Sequence, residues 1–429
     1  MTHAPQAGTA PTETDRAALQ QFLLYLASGL TAAGEAVNEI QERVLRVAAA
    51  YGAPNAVVSV LPTFVTVSLG PGERAAVEST APLRGLLRLD QTAALYELLR
   101  KAERSEVEPG EGSRLVLEIV AKRPRYGPVV TVLGHVVLTV GICLVIQPSW
   151  GDLVLAAIFG ALVAGLKLTG GRWTSLQLIM PVIAAFAVSS ITFVLADQGW
   201  AHADLRAMIP PLVTFLPGAA LTMSVVELSA GEMVTGASRL VAGTLQLVLL
   251  AFGIVAGAQA FGIPSSEALS NDPVNLLGWW APWVGVAVIG VGTYLYYSPP
   301  RGAFRWLLVV LYAAWIGQFL GSEAFGGYVG GFIGALVMTP VAYTVERLPS
   351  GPPALVSFLP AFWLLVPGAL GLIGVTEYLT DDTVAGIQDF IGTVGSIIAI
   401  ALGVLCGYPL YRSIARSLGW LSELRPVLR

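Results

Sequence analysis

Three observations predict an α-helical polytopic membrane protein with a small α/β soluble domain at its N-terminus. Of 429 residues, 55% are apolar and only 12% charged, whereas soluble domains run near a quarter charged. From about residue 129, ten apolar stretches follow one another, each close to the roughly 20 residues that cross a bilayer. One motif also occurs twice, on the fourth and ninth stretches. That placement predicts ten transmembrane helices arranged as two inverted five-helix repeats.

Residues 1–14 are rich in Pro, Thr and Ala and are expected to form a disordered tail. They lack the basic start and apolar core of a signal peptide, so targeting is expected to come from the later helices. Residues 15–126 read as a cytoplasmic α/β domain. Between Ala17 and Tyr51, apolar residues such as Phe22, Leu26, Leu30, Ile40, Val44 and Val47 recur every three or four positions, which predicts a helix ended by Gly52. Short β-like runs follow at 56–62, 64–70 and 75–79, then helices near 88–104 and 112–121.

The ten spans fall at about 129–147, 151–168, 176–196, 208–227, 237–259, 276–297, 304–321, 326–345, 354–377 and 388–411. GSEAF (321–325) is expected to be the loop between the seventh and eighth. Residues 127–265 then form the first repeat, 266–412 the second and 413–429 a cytoplasmic tail. Loop charge tests the count. With the N-terminus inside, the inner loops hold Lys167, Arg172, Arg239, Arg301, Arg305 and Arg347, and the tail adds Arg412, Arg416, Arg425 and Arg429. The outer loops hold one basic residue, Arg206. This asymmetry follows the positive-inside rule, and a shift by one helix would destroy it. Both termini are therefore expected in the cytoplasm of a cell whose inner or plasma membrane holds the protein.

The repeated motif reads P-x6-P-G-x8-E: Pro210, Pro217, Gly218 and Glu227 in the first copy, Pro360, Pro367, Gly368 and Glu377 in the second, 150 positions on. The copies lie five spans apart, an odd number, so they cross the membrane in opposite directions. A Pro-Gly pair in mid-span removes a backbone donor and a restraining side chain, which breaks the helix. Backbone groups freed at that depth are tolerated only where they face protein or line a cavity, and there they can bind a polar ligand. Pro217, Gly218, Pro367 and Gly368 are thus the candidate substrate-binding positions; the plainer reading is a Pro kink needed for packing. Glu227 and Glu377 lie about 15 Å along the axis from the breaks. They are either interfacial carboxylates ending a helix or groups for gating or proton coupling. His135 is either a proton relay or a histidine hydrogen-bonded to a nearby carbonyl. Gln246 and Gln318 read as helix–helix hydrogen bonds or substrate contacts.

Other classes find no support. Net charge is −4, with no basic run, which argues against nucleic acid. Cys143 and Cys406 sit alone in apolar runs, and His3, His135 and His202 have no ligand spacing, so no metal or other cofactor is expected. No P-loop and no nucleophile triad is present, so neither ATP use nor enzymatic activity is expected.

Three stretches resemble the threonine/serine exporter family: the helix LASGLTAAGEAVNEIQERVLRVAAAYG with the strand pair after it, residues 210–240, and LPAFWLLVPGAL at 359–370. The resemblance covers nearly the whole chain from about residue 15. It implies ten helices behind a cytoplasmic domain and export of small hydroxy amino acids driven by the proton-motive force. It also marks Pro210, Pro360, Thr235, Gly236 and Arg239 as motif-associated positions. One departure stands out: Glu39-Ile40-Gln41 occupies the place of an Arg-Val-Glu-like triplet. The expected partners are an amino-acid substrate, a coupling proton and the lipid bilayer. The soluble domain is expected either to regulate opening or to promote a homo-oligomer. The alternatives are a membrane-anchored sensor or scaffold acting through that domain, and a passive channel.

Overall fold

A computed structural model describes residues 13–70, 77–80, 83, 85–146, 148–171, 173–198, 205–261, 277–365, 372, 375–376 and 383–417. Pro367, Gly368, Glu377 and Arg172, with the sequence before Glu13 and after Ser417, lie outside the described residues. The chain divides into two compact units, meeting in sequence between Arg123 and Pro124.

The first unit holds α1 (Glu13–Ala32), α2 (Val37–Ala50), β1 (Val57–Val60), β2 (Val65–Ser68), β3 (Val77–Thr80), α3 (Leu89–Glu103) and α4 (Pro109–Ala121). The single helix expected over 17–51 is two helices, broken where Gly34 takes a φ of +85°. Left-handed backbone of this kind is inexpensive only for glycine. The apolar positions read from the sequence all face the core: Phe22, Leu26, Leu30, Ile40, Val44 and Val47 are fully buried. The three strands form one antiparallel sheet in the order β1-β2-β3, with Val60 opposite Val65 and Val67 opposite Glu78. Helix α1 lies between the sheet and α4. It approaches α4 at Gly112, where a Cβ would come within 2.5 Å of the Phe22 ring. Gln20 ties α1 to the sheet by donating to the Val67 carbonyl at 2.6 Å. Tyr51 donates to the Val107 carbonyl, and burial raises its phenol pKa above the ordinary value.

The second unit is helical: α5 (Pro128–Val145), α6 (Trp150–Gly170), α7 (Thr174–Asp197), α8 (Leu205–Met208), a 3-10 helix (Pro210–Phe215), α9 (Gly218–Ser229) and α10 (Met233–Ala260). After the next described stretch begins come α11 (Ala281–Tyr297), α12 (Ala303–Phe325), α13 (Gly327–Arg347), α14 (Ala354–Leu364) and α15 (Thr383–Ser417). Among the described residues, seven helices are long and apolar enough to cross a membrane, and α9, α11 and α14 are shorter apolar helices. Helix α10 carries apolar residues on both its buried and its exposed faces. It buries Leu247, Leu250 and Ile254 and exposes Val241, Leu245 and Phe252, as a helix between protein and lipid must. GSEAF is not a loop: it forms the last turns of α12, and α13 starts one residue beyond, across Gly326 at φ +95°. The polar Ser322 and Glu323 concealed the continuing helix.

Close packing rests on glycine. Helices α5 and α11 touch backbone to backbone where Gly134 meets Tyr296, Leu138 meets Gly292 and Gly141 meets Ile289, while Gly285 meets the Gly141 carbonyl and the Val145 side chain. Numbers rise on one helix as they fall on the other, so the two are antiparallel. A Cβ at Gly141 would sit 2.6 Å from the Ile289 nitrogen. Helices α7 and α10 pack in parallel, with Gly253 against the Val182 carbonyl, Ala185 and Phe186, and Gly257 against Ser189. Helices α13 and α15 do the same, with Gly403 against the Phe332 carbonyl, Ala335 and Leu336, and Gly407 against Thr339. Each residue of the second set stands 150 positions after its counterpart in the first.

Candidate functional site

The site is built around the chain break that Pro217 imposes. Pro210 and Pro211 open a tight 3-10 helix that ends at Phe215. Leu216 is then extended, with φ −67° and ψ 126°, as expected of a residue before proline. Pro217 precedes α9 in the N-cap position. Two consequences follow at this point in the bundle. The first N–H groups of α9, from Gly218, lack acceptors within the helix and mark its positive end. The last carbonyls of the 3-10 helix need outside donors: Gln246 of α10 donates to the Phe215 carbonyl at 3.2 Å. Gln318 of α12 makes a longer contact, 3.5 Å, with the carbonyl of Leu365, a residue 150 positions after Phe215. Both glutamines thus make helix–helix bonds.

A polar cluster adjoins the break. His135 of α5 is fully buried. Its Nδ1 lies 2.9 Å from the Gly160 carbonyl, and its Nε2 lies 3.2 Å from Thr214 Oγ1. A carbonyl can only accept, so Nδ1 carries the proton and Nε2 accepts from the threonine hydroxyl. Lys167 Nζ donates to the same hydroxyl at 2.9 Å. A hydrogen-bonded chain therefore runs Lys167–Thr214–His135–Gly160. Lys167 was expected in an inner loop; it lies within α6, and its ammonium faces the rings of Phe215 at 4.8 Å and Tyr296 at 5.5 Å. Rings continue the site across the bundle: His135 to Tyr296 at 5.2 Å, Tyr296 to Tyr297 at 4.7 Å, and Tyr297 to Trp363 of α14 at 4.6 Å. Thr214, Phe215, Leu216, Tyr296, Tyr297 and Trp363 are all half-buried.

The remaining motif residues lie elsewhere. Glu227, read as an interfacial carboxylate or a gating group, is fully buried at the end of α9 and forms an ion pair with Arg239 of α10 at 3.2 Å. Thr235 is buried in the same corner, and Gly236 packs on Leu228 and the Ser224 carbonyl. The aligned prolines differ in role: Pro210 starts the 3-10 helix, whereas Pro360 lies inside α14. Among the described residues, no group of His, Cys, Asp and Glu has the arrangement of a metal site.

No curated protein and no solved structure matches the chain. A family model, ThrE, described as "Putative threonine/serine exporter", matches residues 21–261, from α1 to the end of α10. That family is one of transporters rather than enzymes. With its apolar helices and this match over more than half its length, the chain belongs to the threonine/serine exporter family and is a multi-pass membrane protein.

Proposed function

We propose that this protein is a secondary active transporter that exports small hydroxy amino acids of the threonine/serine kind across the cell membrane, driven by the proton-motive force. The observation that carries this reading is the break at Leu216–Pro217, set beside a hydrogen-bonded chain that runs to the buried His135 and a half-buried aromatic surface. Freed backbone groups next to polar side chains at membrane depth are how carriers hold zwitterions. His135 is the coupling candidate, since it can exchange a proton along the chain through Thr214. Glu227 serves the fold instead, through Arg239.

The architecture in this proposal is ten spans in two inverted repeats, with both termini in the cytoplasm. Seven long and three short apolar helices supply the ten, α9 being completed by the 3-10 helix before it. The glycine contacts at a uniform spacing of 150 support the repeat. So does the antiparallel α5–α11 pair. Taking Gly134 and Gly141 onto Gly285 and Gly292 carries the contacts of the first two onto those of the second two. Alternating access then comes from one repeat rocking against the other around the breaks, with Pro367 and Gly368 as the second break.

The test is counterflow of labelled threonine and serine in proteoliposomes, with and without an imposed pH gradient, comparing wild type with Pro217→Ala/Pro367→Ala. Saturable, gradient-dependent exchange that falls in the double variant is expected. Absence of exchange for both amino acids in the wild type overturns the substrate assignment, and unsaturable flux overturns the carrier.

A further inference from the structure

We propose that Lys167 is the carboxylate anchor of the substrate site, so that the ligand class is a small molecule bearing a carboxylate; this rests on the reading of the break as the site of transport. Among the described residues no carboxylate pairs with its ammonium. Its contacts are the Thr214 hydroxyl and the rings of Phe215 and Tyr296. A lysine near a helix end ordinarily extends toward water. This one turns inward to the broken segment and takes up a position three residues before Gly218, where the α9 amides begin.

The second half of the protein serves as an internal comparison. Buried positions Ala156, Phe159, Val163 and Gly170 of α6 recur in α12 as Leu307, Val310, Ala314 and Gly321, each 151 positions on. That register sets Lys167 against Gln318, and Gln318 also reaches the residues before a Pro-Gly pair, at the Leu365 carbonyl. The same reach is thus made once with a neutral amide and once with a cation. Thr214 corresponds to Leu364, and His135, in the register of the paired glycines, to Val286. Packing in the second repeat does without any of these polar groups. A charge the architecture does not need, turned into the bundle without an acidic partner among the described residues, is there for a ligand of opposite sign. Thr214 takes one of the ammonium's three N–H groups, leaving capacity for a carboxylate.

The experiment is isothermal titration of the purified full-length protein in nanodiscs, which needs no turnover. The ligands are threonine, serine, lactate (carboxylate and hydroxyl, no amine) and threoninol (amine and hydroxyl, no carboxylate). Wild type is compared with K167M and K167R, each checked for a monodisperse elution profile. Loss of one charge-assisted contact predicts threonine binding weaker by about 10- to 100-fold in K167M, with partial retention in K167R. Threoninol binds weakly to wild type and is unchanged by the substitution. Equal losses for threonine and threoninol, or threonine binding kept in K167M, overturn the anchor. If wild type binds lactate but neither amino acid, and K167M loses lactate, the anchor stands while the threonine/serine assignment falls. Wild type that binds no carboxylate overturns the anchor as well.

Discussion

Replacing Arg239 with methionine would leave Glu227 charged and without this ion pair at a position with no solvent exposure. The two residues stand on successive helices, α9 and α10, and meet across the tight corner at Gly231, whose φ is +89°. Removing one partner of a buried pair costs about 3–5 kcal/mol, because the remaining charge loses its partner without regaining water. Arg239 keeps 21% of its side-chain surface exposed, so some water reaches the corner and the lower end of that range applies. In thermal unfolding of the detergent-solubilised protein this corresponds to a fall on the order of 6–12 °C. The double variant Glu227→Gln/Arg239→Met carries no charge and is expected to regain at least half of the loss. If Arg239→Met unfolds with the wild type, or the double variant unfolds below it, the pair does not hold the corner and the reasoning fails.

Three further outcomes are expected. Gly253→Ala and Gly403→Ala should each destabilise by about 1–3 kcal/mol by overpacking, and by similar amounts, because their new methyl groups meet equivalent carbonyls of Val182 and Phe332; clearly unequal melting shifts would argue against equivalent packing. His135→Asn should retain amino-acid exchange in proteoliposomes but lose its response to a pH gradient, and an unchanged response would remove His135 from the coupling path. Gln246→Leu should cost about 1–2 kcal/mol through the Phe215 carbonyl it leaves without that donor, read as a lower melting temperature and faster backbone hydrogen exchange around the break.

Much of this was legible in the sequence because proline and glycine act on the backbone directly. Pro217 could be read as a break without knowing any neighbour, and the alternation of core valines at 58, 60, 65 and 67 follows from strand geometry alone. The gap at Gly34 was hidden because α2 resumes the apolar period of α1, so the spacing runs through the turn unbroken. Lys167 was misread for a different reason. Charges near span ends are counted as loop charges, and nothing in the sequence records that a four-carbon stem folds inward. The Glu227–Arg239 pair joins residues 12 positions apart across a corner, a separation that no helical or strand period flags. The paired glycines 253/257 and 403/407 carry a signal at the same spacing as the Pro-Gly motif. Aligning the two halves along their whole length, rather than at the motif, would have exposed it.

The glycine seam between α5 and α11 has a mechanical consequence. Where side chains separate two helices, rotamer changes let them slip and roll past one another. Here main chain rests on main chain, and Gly134, Gly141, Gly285 and Gly292 leave no such cushion. A sliding step would drive a carbonyl into the opposite backbone, so the pair can pivot about its crossing but not shear along it. His135 and Tyr296 ride on these two helices, so any pivot at the seam shifts their rings against one another: the seam acts as an axle, with part of the proposed site mounted on it.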